Sequence, residues 1–188
     1  MLRLALTLLA LCFAAGAGAA TQASVDPETG LATWQTETEG IQVRLTQITP
    51  DQARAFYQAR GFAPAAAEQY AGECVFMTVI RNIGPTPLAY QLADWRYRTA
   101  GEPPRALRSK DEWDRLWVRL GVSEVARIAF TWAQIPTAHH YAPGDWNQGM
   151  TAYSVPRGGV FDLDFAWRAD GRRRAGTLEN VRCADEQS

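Results

Sequence analysis

Residues 160–168, VFDLDFAWR, place Phe161, Leu163, Phe165 and Trp167 on one side of the chain and Asp162, Asp164 and Arg168 on the other. A period of two belongs to a β-strand with one face buried. Asp170-Gly171 follows. It is a type I′ hairpin signal, because both residues tolerate positive φ. The partner strand is expected over residues 172–183, with Ala169 opposite Arg172. Gly176 is expected to mark a bulge, since Leu178 and Val181 are out of phase with each other. A half-apolar hairpin needs a second layer to cover it.

Other segments supply that layer. Residues 41–48, IQVRLTQI, alternate in the same way. Residues 74–80, CVFMTVI, are apolar on both faces, as in a buried central strand. Residues 88–98 read as a further strand, and so do residues 124–132, EVARIAFTW, with Ala126, Ile128, Phe130 and Trp132 on one face. Two segments read as helical instead. Thr49-Pro50-Asp51-Gln52 is a capping box opening a helix that Gly61 ends, and Pro64 opens a short second helix through Tyr70. Ser109 and Glu112 form another capping box, before Trp113, Leu116, Trp117 and Leu120 at helical spacing. The expected fold is mainly β, an immunoglobulin-like antiparallel β-sandwich with two short helical insertions. That description is architectural and carries no activity.

The first twenty residues contain one cation, Arg3, then the apolar run 4–15, then small residues that fit a cleavage site. This is the layout of a secretory signal peptide, with the mature chain expected to start near Thr21. Residues 21–39 show no periodicity and read as an extended N-terminal lead-in to a single domain over 40–188. No transmembrane segment is expected in the mature chain, which keeps two cysteines, Cys74 and Cys183. In a periplasmic or secreted protein such a pair forms a disulfide. With 19 basic and 20 acidic residues the net charge is −1. That balance excludes a general nucleic-acid binder, which would show a basic excess.

Candidate chemistry gathers in residues 133–150, AQIPTAHHYAPGDWNQGM, expected to be a long irregular connection. Both histidines of the chain, His139 and His140, lie there. Tyr141, Asp145, Trp146, Asn147 and Gln148 are close by, and Pro143-Gly144-Asp145 is a turn that would present Trp146. Aromatic side chains among adaptable polar ones are typical of binding loops. The reading is a non-enzymatic periplasmic accessory or binding domain that uses this loop as its recognition surface. Its partner would be a periplasmic or membrane-associated protein, or a small ligand. As an alternative, His139, His140, Trp146 and Met150 resemble the His, Trp and Met ligands of small periplasmic copper chaperones. That resemblance implies a copper carrier, with His139, His140 and Met150 holding Cu(I). This loop has one Met where those proteins usually have two soft sulfur ligands.

A second set, Asp162, Asp164 and Glu179, would share the outer face of the 160–183 hairpin, and is read as a solvated face balanced by Arg168 and Arg173. Arg172, Arg173 and Arg174 alternate between faces and form no single patch. No cofactor fingerprint is present, nor is a nucleophile motif, so a hydrolase would need an unrecognised site.

Overall fold

A computed structural model describes residues 20–185. The signal peptide expected over residues 1–20 falls almost wholly outside the described residues. Two antiparallel sheets face each other. The first holds β1 (Gln22–Val25), β2 (Ala32–Thr38), β3 (Ile41–Ile48), β4 (Cys74–Asn82) and β9 (Trp146–Tyr153), in the order β1-β2-β3-β4-β9. The lead-in thus contributes two strands of its own. The second sheet is built on β10 (Val160–Ala169). β11 (Arg172–Arg182) pairs along one side of it. On the other side it pairs with β6 (Arg96–Arg98) and then β5 (Leu88–Gln91), which β7 (Arg105–Ala106) and β8 (Ala138–Tyr141) extend.

The period-two pattern is what brings the sheets together. Phe161, Leu163, Phe165 and Trp167 of β10 pack with Ile41, Val43 and Leu45 of β3 in one buried cluster. Cys74 and Cys183 are joined by a disulfide across 109 residues, inside the same cluster. The hairpin turn is as expected, with φ of 52° at Asp170 and 71° at Gly171 and Ala169 opposite Arg172. The bulge is elsewhere. Gly176 pairs regularly with Phe165, and the register shifts where Asp162 meets Glu179 and Asn180, the latter at φ 56°. Gly176 answers a packing need instead: a Cβ there would come within 2.6 Å of the Phe165 ring.

Four helices lie among the described residues, in two pairs. α1 (Pro50–Gln58) and α2 (Pro64–Ala71) form the expected helical hairpin, with the Thr49–Gln52 capping box in place. α3 (Lys110–Arg119) starts at its own capping box, Ser109 with Glu112. The expected strand at residues 124–132 is instead α4 (Glu124–Ala133). Ser123 accepts from the Ala126 N–H, and the helix turns Ala126 and Phe130 inward, one turn apart. Val125, Ile128 and Trp132 then face solvent. Segment 88–98 also differs: a 3₁₀ turn, Leu92–Asp94, splits it into β5 and β6.

The helices cover the outer face of the first sheet. Tyr57, Phe62, Tyr70, Trp113, Trp117 and Phe130 form a second buried cluster there with Val75 and Met150. This explains why residues 74–80 are apolar on both faces: β4 lies between two layers, each of which it must fill. The first α/α pair connects β3 to β4 and the second connects β7 to β8, so both insertions project to the same side.

Candidate functional site

Residues 133–150 are more ordered than an irregular connection. They run from the end of α4 through β8, a tight turn at residues 142–145, and into β9. The turn is held by Asp145, whose Oδ2 accepts from the Ala142 N–H at 2.9 Å. β8 belongs to the second sheet and β9 to the first, so the segment crosses between them. Trp146 is 55% exposed at the start of β9, beside Asn147 and Gln148, while Tyr141 is buried and its ring stacks on Tyr90.

His139 and His140 are successive residues of β8, and their side chains leave opposite faces of the strand. The His139 ring meets that of Tyr141, with 4.7 Å between centroids, and His140 lines a shallow hollow with Arg168 and Arg173. Met150 lies elsewhere, in the cluster under the helices, where its sulfur accepts from the Tyr57 hydroxyl at 3.4 Å. Among the described residues, no three His, Cys, Asp or Glu side chains gather as a metal site. On the hairpin face, Asp164 pairs with Arg98 at 3.0 Å and Asp162 reaches the same guanidinium at 4.0 Å. The balancing cation there is Arg98 rather than Arg168 or Arg173, and strand pairing of β6 with β10 brings it in.

A further concavity is at the other end of the same segment. A cleft of about 380 Å³ opens between the start of α3, the 3₁₀ turn after β5, and β9. That volume is toward the low end for small-molecule sites. Leu92, Leu107, Trp113, Ile135 and Met150 give it apolar walls. Its shape depends on Gly149. The chain at Gln134 and Ile135 bridges β9 in parallel, and the Ile135 N–H donates to the Met150 carbonyl. A Cβ on residue 149 would stand 2.3 Å from the Ile135 nitrogen. Only glycine admits so close an approach.

Under the cleft runs a directed chain of hydrogen bonds. The Tyr70 hydroxyl donates to Gln134 Oε1 at 2.8 Å, Gln134 Nε2 donates to the Tyr57 hydroxyl at 2.7 Å, and that hydroxyl donates to Met150. All four groups are buried, and burial pushes the Tyr57 and Tyr70 phenols up, so they stay neutral. At the mouth stands Lys110. Its ammonium donates to the carbonyls of Thr131 at 3.0 Å and Gln134 at 3.4 Å, and burial lowers its pKa from the ordinary lysine value. Glu112 is occupied at the helix start, where the Ser109 N–H holds its carboxyl below the usual range.

Sequence reasoning missed this cleft. Its walls come from residues near 92, 107, 113, 135 and 150, which no local period links. The one sequence signal was Met150, an apolar residue in a polar stretch. No family model matches the chain, and no curated protein or solved structure matches it. What fold and site define is therefore a class: a mainly β domain of two antiparallel sheets, with a helical layer on one side and a cleft beneath it.

Proposed function

We propose that this chain is a non-enzymatic binding domain of an exported setting, and that segment 133–150 serves recognition through the cleft it walls together with α3. One observation carries this reading: a concave site of ligand size, mostly apolar, with few polar groups turned into it. Gln134, Ile135, Thr137, Ala138 and Met150 belong to both the segment and the cleft. In this reading the frame is an immunoglobulin-like sandwich that carries its helices on one outer face. A periplasmic or secreted location agrees with the Cys74–Cys183 disulfide. It also agrees with the described helices, none of which is long and apolar enough to cross a membrane.

The test uses the neutral apolar fluorophore N-phenyl-1-naphthylamine, whose emission rises on entering an apolar site. Wild-type protein should bind it saturably. Ala152→Leu, which pushes a branched side chain into the cleft from β9, should abolish binding while the thermal melt stays near wild type. Unchanged binding by a folded Ala152→Leu protein would sink the cleft as the recognition site.

A further inference from the structure

Lys110 is the only lysine among the chain's 19 Lys and Arg residues, and it lines the cleft. Two of its three N–H donors go to main-chain carbonyls at the end of α4, where a cation is favoured by the helix dipole. That accounts for its position but leaves one donor and a full charge unmatched. None of the ion pairs between described residues includes it.

Two neighbouring charges are already matched. Arg108 pairs with Glu73 at 3.4 Å and lies over the Trp113 ring, and Glu112 closes the capping box at the start of α3. The other polar side chains lining the cleft, Gln91, Ser109, Gln134, Thr137 and Thr151, are neutral; Gln134 is hydrogen-bonded to Tyr70 and Tyr57, and Thr151 to Thr78. A single uncompensated cation beside apolar walls favours a ligand that brings one negative charge on an apolar body.

We propose that the cleft takes a small organic anion, a monocarboxylate whose apolar body lies against Trp113, Leu107 and Ile135 and whose carboxylate pairs with the Lys110 ammonium. This rests on the binding-domain reading above and names its ligand class. A single ammonium is a point charge suited to one carboxylate, whereas a phosphate group would call for the forked donors of arginine.

Octanoate and 1-octanol, titrated into purified protein and followed by intrinsic tryptophan fluorescence, separate the two claims. Wild-type protein should bind octanoate roughly tenfold or more tighter than octanol, the scale of a charge-assisted hydrogen bond. Lys110→Met should bring the two affinities together and leave octanol binding intact. Lys110→Arg should keep the preference. Equal, measurable binding of both probes by wild type would overturn the anion assignment while the cleft stands. Failure of both to bind would overturn the cleft itself.

A second measurement does not depend on how the variants fold. Lys110 carries the only side-chain amine, so an amine-acylating reagent followed by peptide mapping reports on it alone. Saturating octanoate should slow its acylation and octanol should not. No protection by octanoate would overturn the proposal even if Lys110→Met were unfolded.

Discussion

Between the sheets, strand meets strand: the apolar side chains of β10 and β11 face those of β3 and β4, and a disulfide closes the layer. On the far side of β4, strand meets helix, and the filling is six aromatic rings from α1, α3, α4 and the α1–α2 connection and α2. Trp113 and Trp117 stack there with centroids 5.1 Å apart, and Phe130 meets five of its aromatic neighbours. The first layer is covalently tied. The second has a polar chain through its middle, Tyr70 to Gln134 to Tyr57, and a cleft at its edge. Lys110 lines that cleft, so the recognition proposed above belongs to the helical layer.

Removing the tie should break the comparison most strongly. Cys74→Ala with Cys183→Ala frees a loop of 109 residues, and chain entropy puts the loss at about 4–5 kcal/mol. Urea unfolding of the double variant should show a midpoint far below wild type. A loss under ~1 kcal/mol would mean that the sheet-to-sheet layer holds without the bridge. The next effect is smaller and belongs to the helical layer. Gln134→Leu strands the buried Tyr70 hydroxyl and takes a donor from Tyr57, at a cost of roughly 1–3 kcal/mol for a buried group left unpaired. In the sheet-to-sheet layer, Ile80→Val removes one methylene and should cost about 0.5–1.5 kcal/mol. If Gln134→Leu were as mild as Ile80→Val, the polar chain would be incidental to that layer.

The sheet-to-sheet layer was legible in the sequence and the helical one only in part, for a physical reason. A half-buried strand announces itself in its own residues, as β10 does through Phe161, Leu163, Phe165 and Trp167. Capping boxes are equally local, which is why Thr49 and Ser109 mark true helix starts. α4 carries the opposite lesson. EVARIAFTW has apolar residues at every second position and also at helical spacing, and only the tertiary position of Ala126 and Phe130 decides between them. The cleft was illegible because it has no local code. It exists where Leu92, Leu107, Trp113, Ile135 and Met150 meet from four stretches of chain. The histidines drew attention because they are rare in this chain, yet adjacent residues of a strand diverge.

Trp146 gives the smallest expected effect and the finest discrimination. It begins β9, 55% exposed, opposite Arg81. Four strand residues, roughly 13 Å at the usual rise, separate it from Met150 at the cleft. Trp146→Ala should therefore change stability by less than ~1 kcal/mol, because an exposed aromatic gives up little buried area. A buried one would cost about 3–5 kcal/mol, so a single thermal melt separates the two cases. The same variant also asks which end of segment 133–150 does the recognising. If the cleft is the site, octanoate affinity should be unchanged, since Trp146 lines none of it. A tenfold loss of octanoate binding with an unchanged melt would move recognition out to the turn at residues 142–145, and the helical layer would lose its claim to be the functional half of the molecule.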